Sequence, residues 1–129
     1  MSKEEKKNRF RIPTETGIGE VAISEEVIAT IAALATVEVK GVVSMVGTMP
    51  NEIIERLGMK KLSKGVKIEM LEDAVCIDLA VNISDTASIP KISEEIQTKV
   101  KNTVETMTGY PVASVNIRVA SVEIEGNMN

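Results

Sequence analysis

With 129 residues, 43% of them hydrophobic, the chain is long enough to bury the core of one domain without disulfides or a structural metal. The single cysteine excludes an internal disulfide, and a net charge of −4 argues against strong non-specific attraction to phosphate backbones. The absence of histidine removes the usual base of nucleophilic catalysis and a usual ligand of zinc.

Residues 1–18 read as a basic tail, in which Lys3, Lys6, Lys7, Arg9 and Arg11 stand against Glu4 and Glu5. A solvated, disordered segment is expected there. A weak contact with anionic lipid or an acidic partner is the functional alternative for its charge. No apolar signal region follows the charged start, and no apolar run reaches the roughly 18 residues of a membrane span, so neither export nor spanning is expected. One domain is expected over residues 19–125, with 126–129 as a flexible C-terminus.

Val21 and Ile23 alternate with Glu20 and Ala22, which predicts a short strand over residues 19–23. Ser24 suits a helix N-cap, and Glu25 and Glu26 follow where carboxylates favour the positive end of the helix dipole. The helix should run to about Glu38, burying Val27, Ile31, Leu34 and Ala35, with Ile28 and Ala32 widening the stripe. Gly41 stops it, and Val42, Val43, Met45 and Val46 read as an apolar connection into Gly47-Thr48-Met49-Pro50. A second, shorter helix is predicted over residues 51–57, with Ile53, Ile54 and Leu57 on one face. Residues 58–64 follow as a basic loop carrying Lys60, Lys61 and Lys64.

Two alternating runs come next, Val66, Ile68 and Met70, then Val75, Ile77, Leu79, Val81 and Ile83, and they predict an antiparallel hairpin turning at Glu72-Asp73. After the polar stretch 84–88, Ser88 and Pro90 mark the start of a helix. Ile92, Ile96, Val100, Val104 and Met107 form its apolar stripe, while Lys91, Glu94, Glu95, Lys99, Lys101 and Glu105 leave the other face charged. Gly109 ends that helix and Pro111 prevents its resumption. The last strand alternates through Ala113, Val115, Ile117 and Val119, then shifts phase to Val122 and Ile124, which predicts a bulge near Ala120-Ser121. The order β-α-α-β-β-α-β is that of an α+β protein with a small antiparallel or mixed sheet and helices packed on one face.

The chemistry that these residues can support is narrow. Ser63-Lys64 and Ser2-Lys3 are neighbours in sequence, but adjacency does not bring a serine and a lysine side chain together as nucleophile and base. The carboxylate pairs Glu25/Glu26, Glu72/Asp73 and Glu94/Glu95 point apart on a helix or turn and read as capping and solubilising charges. Cys76, inside an alternating apolar run, reads as a small buried hydrophobe. Gly17-Ile18-Gly19 precedes a strand rather than leading from one into a helix, so it is no phosphate loop. A nucleic-acid-binding domain of the KH class is the rival reading, resting on Lys60, Lys61, Lys64 and Lys67 as a basic patch. Against it stand the missing Gly-x-x-Gly loop, the near absence of aromatic side chains for stacking and the acidic balance. No catalytic, cofactor-binding or metal-binding residue is assigned, and neither a cofactor nor a small-molecule substrate is expected.

Three blocks carry a family resemblance. The first is Gly19-Glu20-Val21-Ala22-Ile23-Ser24-Glu25-Glu26-Val27-Ile28, continuing through Ile31-Ala32 and Ala35 to Gly41-Val42. The second is Lys64-Gly65-Val66-Lys67-Ile68-Glu69 with Val75 and Ile77-Asp78-Leu79. The third joins residues 96–101, residues 104–109 and Val115-Asn116-Ile117-Arg118-Val119. In this order and spacing the chain resembles the alkaline shock protein family, the small envelope-stress proteins of Gram-positive bacteria. The resemblance implies a non-enzymatic cytoplasmic scaffold or interaction protein in envelope homeostasis and stress response. It further implies self-association, a small membrane-anchor protein as partner and, through residues 51–64, a link to fatty-acid synthesis. Two departures stand out: Ser84-Asp85 replaces an aromatic-glycine pair, and Ala120-Ser121 replaces a glycine near the end of the last strand.

Overall fold

The computed structural model describes residues 9–12, 14–47 and 63–124. Its elements are β1 (Arg9–Ile12), β2 (Val21–Ser24), α1 (Glu25–Val37), β3 (Val42–Met45), β4 (Val66–Met70), β5 (Val75–Ser84), α2 (Ile89–Thr108) and β6 (Val112–Glu123). The fold is α+β, as expected, and its main sheet is mixed.

Strand β5 is the axis of that sheet, because it carries the longest unbroken alternation in the chain. Val75, Ile77, Leu79, Val81 and Ile83 point to one side and are buried, while Cys76, Asp78 and Asn82 lie on the other. β6 runs parallel to β5 along its whole length, from Val75↔Val112 to Ser84↔Glu123. One edge of β5 is thereby taken, so β4 and β3 share the other edge. β4 pairs with the first half, Met70↔Val75 to Val66↔Leu79, and β3 with the second, Met45↔Val81 to Val42↔Ile83.

The two partners meet end to end at Ala80. Val46 N–H donates to the Ala80 carbonyl at 2.9 Å, and the chain returns at Gly65 after the residues that separate β3 from β4. A Cβ on Gly65 would lie 2.9 Å from the Val46 oxygen and 3.1 Å from the Ala80 oxygen. Only glycine lets three backbones approach that closely.

Both helices cover the inward face of the sheet. Ser24 caps α1 as predicted, its Oγ accepting from Val27 N–H at 3.2 Å. The face that α1 buries is Ile28, Ala29, Ile31, Ala32, Ala33, Ala35 and Thr36, rotated from the predicted stripe, and Val27 is 43% exposed. Alanines on that face let α1 lie close to its neighbours, and Lys99 of α2 pairs with Glu38 at its end at 2.9 Å. α2 buries Ile92, Ile96, Val100 and Val104 as predicted, but Thr108 takes the place expected for Met107, which is 64% exposed. Thr36 and Thr108 are tolerated inside because each hydroxyl donates at 2.7 Å to the carbonyl four residues earlier, that of Ala32 and of Val104. Gly109, at φ 75°, closes α2 with its N–H on the Glu105 carbonyl.

Two segments differ from the sequence-based reading. Residues 42–45, expected as a connection, form β3, because β5 extends beyond β4 and its second half needs a partner. Residues 9–12, inside the expected tail, form β1 and pair antiparallel with β2 from Arg9↔Ser24 to Ile12↔Val21, with Arg11 3.0 Å from Glu20. The predicted helix over 51–57 and loop over 58–62 lie outside the described residues. The hairpin at Glu72-Asp73 and the bulge at Ala120 are found where expected, the latter as the step from Val81↔Val119 to Asn82↔Ser121.

Candidate functional site: an open sheet face and an open edge

With α1 and α2 on one side, the other face of the sheet carries short polar side chains brought into rows by the strand register. Asn82 sits between Ser44 and Ser121, donating from Nδ2 to Ser44 Oγ at 3.0 Å and accepting at Oδ1 from Ser121 at 2.8 Å. Two residues earlier along β5 the floor is Ala80, opposite Arg118. The next row is Lys67, Asp78 and Asn116, in which Asn116 Nδ2 donates to Asp78 Oδ1 at 2.8 Å. Between the large side chains, Gly65 and Ala80 leave a shallow groove of about 390 Å³, whose charged lining is Lys64, Lys67, Arg118 and Asp78. All four charged side chains are exposed. Among the described residues, neither the two lysines nor Arg118 has an ion-pair partner.

β6 pairs only with β5 among the described strands, which makes its other side a sheet edge. Side chains of α2 hold the start of that strand. Gln97 Nε2 donates to the Val115 carbonyl at 3.1 Å, and Glu105 Oε2 accepts from Val112 N–H at 2.9 Å and from Lys101 Nζ at 2.8 Å. The Lys101 hydrogen bond, helped by the Val112 N–H, lowers the Glu105 pKa below the ordinary carboxylate value. Beyond Val115 no side chain among the described residues takes a backbone group of β6, and the strand ends with Val122 51% and Ile124 64% exposed.

The structure brings Lys64 and Lys67 of the predicted basic patch together with Arg118, which the sequence reading had not grouped with them. Lys60, Lys61, Ser2 and Lys3 lie outside the described residues. Cys76 is half-buried on the open face, between Glu69 and Ser114, rather than in the core, because its place in the alternation opposes that of Val75 and Ile77. Glu25 and Glu26 occupy the first turn of α1. Gly17 and Gly19 lie in the connection between β1 and β2. Among the described residues, no group of three or more Cys, Asp or Glu side chains could hold a metal ion, and no helix is long and apolar enough to cross a membrane.

Comparison with known proteins adds a lineage to this geometry. Residues 13–124 match the model of the alkaline shock protein 23 family, described as having a cell envelope-related function. Two uncharacterized proteins of Bacillus subtilis are similar over most of their length. YqhY is 32% identical over 111 residues, covering 86% of this chain and 82% of its own. YloU is 34% identical over 115 residues, covering 88% and 96%.

Proposed function

The chain belongs to the alkaline shock protein 23 family, with its cell envelope-related function, and we propose that it works there as a non-enzymatic scaffold that self-associates. The observation that carries this reading is the outer edge of β6. Among the described residues its second half is an unpaired row of backbone donors and acceptors, with Arg118 and Glu123 as the only charged residues of the strand. Such an edge is a template for pairing with another chain. The α2 side chains that hold Val112 and Val115 confine pairing to the stretch from residue 116 onward.

The non-enzymatic part is supported by the lack of histidine in the whole sequence and by relatives that bear no enzymatic name. Under this reading the protein is cytoplasmic and reaches the membrane through a small anchor protein. The family resemblance suggests fatty-acid synthesis as one process it could serve and stress response as its setting.

Sedimentation velocity tests the edge. Val119 is packed against the core, so a lysine there would unfold the domain, whereas half-exposed Val122 accepts one. The wild-type protein is expected to sediment as dimers or larger species, and Val122→Lys as a monomer with an unchanged circular dichroism spectrum. A wild-type monomer at concentrations above those of the cell would overturn the reading, as would an assembly indifferent to Val122→Lys.

A further inference from the structure

We propose that the groove on the open sheet face binds an extended acidic segment of a partner protein, at a site that adjoins the self-association edge and shares Arg118 with it. The argument starts from charge. The chain is acidic overall, at −4, yet the groove gathers Lys64, Lys67 and Arg118 around one carboxylate. Asp78 already accepts a hydrogen bond from Asn116, whereas the three cations have no ion-pair partner among the described residues. Three exposed cations around a single carboxylate, none of them in an ion pair among the described residues, make a local positive field on an otherwise acidic surface that steers anions to this place.

The strand register gives the groove its shape. Lys67 lies on one side of β5, opposite Asp78, and Arg118 lies on the other side, opposite Ala80, one row further along. Lys64 joins Lys67 on its side, next to Gly65. The floor between them is low, since Ala80 is small and Gly65 has no side chain. Side chains of an extended peptide recur on one face about every 6.7 Å, the same interval as successive rows of the sheet. Alternate carboxylates of such a segment therefore match the rows of Lys67 and Arg118, and Asn116 and Asp78 offer hydrogen bonds to its backbone.

The chemistry favours an acidic peptide over the other polyanions. A nucleic-acid strand would bring a continuous run of phosphates across Asp78, and the groove has no aromatic side chain on which a base could stack. An anionic membrane would call for exposed apolar side chains beside the cations to enter the lipid. Of the apolar lining residues Val46, Leu79 and Ile117 none is exposed, and the next row is Ser44, Asn82 and Ser121.

The probe is a fluorescein-labelled peptide of alternating glutamate and serine, with a glutamine-for-glutamate peptide as control, followed by anisotropy against the full chain. The acidic peptide is expected to bind and the control not to. Lys67→Glu and Arg118→Glu, both at exposed positions, should each weaken binding about fivefold or more, since an attraction becomes a repulsion. Lys91→Glu, an exposed lysine on α2 that makes the same change in net charge, should leave affinity within about twofold. Equal losses in Lys91→Glu and Arg118→Glu would show a non-specific charge effect and overturn the proposal. So would failure to bind the acidic peptide, or tighter binding to single-stranded RNA or to phosphatidylglycerol vesicles than to the peptide. Should Arg118→Glu fail to fold, Lys67→Gln is read in its place, with a smaller loss expected and no loss counting against the site. Because Val122→Lys leaves the groove intact, its peptide affinity should equal that of the wild type, which separates this proposal from the assembly reading.

Discussion

Along one edge of β5 a single strand, β6, pairs from end to end, while along the other the pairing is divided between β3 and β4, which meet over Ala80. The continuous edge absorbs irregularity. β6 makes two register shifts, between its pairs with Val75 and Cys76 and again at Val81 and Asn82, and stays bound because each shift has paired residues on at least one side to restore the ladder. The divided edge carries a shift too, between the β3 pairs Val42↔Ile83 and Ser44↔Asn82, and in addition it has one joint. At that joint Val46, Gly65 and Ala80 approach through backbone atoms that cannot turn aside. Register faults are tolerated on both edges, whereas the interruption adds a requirement that falls on a single glycine.

The largest expected effect is therefore at the joint. Gly65→Val should destabilise the protein by about 3 kcal/mol, the upper end of the overpacking range, because the atoms met are main-chain oxygens. Ala113→Val, at an exposed position beside the first shift in β6, should cost less than about 0.5 kcal/mol. Urea unfolding of the two variants measures the contrast, and equal midpoints would show that the divided edge is as forgiving as the continuous one.

Next in size is the loss of a buried side chain on either edge. Val66 on β4 and Val115 on β6 are both 8% exposed. Truncating either to alanine removes two carbons from the core and should cost about 2 kcal/mol. The two values should agree within about 0.5 kcal/mol if burial, and not continuity, sets the cost. A much larger loss for Val66→Ala by the same measurement would mean that β4 opens as a unit once its packing is weakened.

The smallest effect belongs to the side-chain clamp on the continuous edge. The Glu105 carboxylate has a lowered pKa in the folded state, first through the Lys101 hydrogen bond and then through Val112 N–H. Its contribution is complete above the ordinary glutamate pKa of about 4.3 and is lost as pH falls through the lower folded value. Glu105→Gln should thus melt at a lower temperature than the wild type at pH 7, with the difference shrinking as the solution is taken down to pH 3. A constant difference from pH 7 to pH 3 would show that the ionised form of Glu105 plays no part in holding β6.

The elements that could be read from residues alone are those whose pattern is local. The alternation of 75–83 and of 66–70 gave strands, Ser24 and Gly109 gave helix ends, and the phase change after Val119 gave the bulge. These signals need no knowledge of neighbours, because periodicity and capping act within a few residues. The face of α1 was harder to place, since its alanines are compatible with several orientations and Val27 looked as apolar as Ile28. Met107 and Thr108 were exchanged for the same reason. A threonine can be buried once its hydroxyl bonds to the preceding turn, and that bond is invisible in composition.

For the candidate site, Lys64 and Lys67 were recognisable as a basic pair, but Arg118 stands more than fifty positions away and joins them only through the register of β4 and β6 on β5. The sequence fixes no such distance. What its own residues did establish was an aliphatic α+β domain without histidine chemistry, because side-chain type and short-range pattern are properties of the chain itself. The tertiary structure decided the rest. Val42–Met45 became a strand because the far half of β5 had hydrogen-bonding groups to satisfy, Gly65 became indispensable because three backbones converge on it, and one face of the sheet became a surface because both helices pack on the other. Each of these depends on contacts between residues far apart in sequence, and such contacts come into being only when the chain folds.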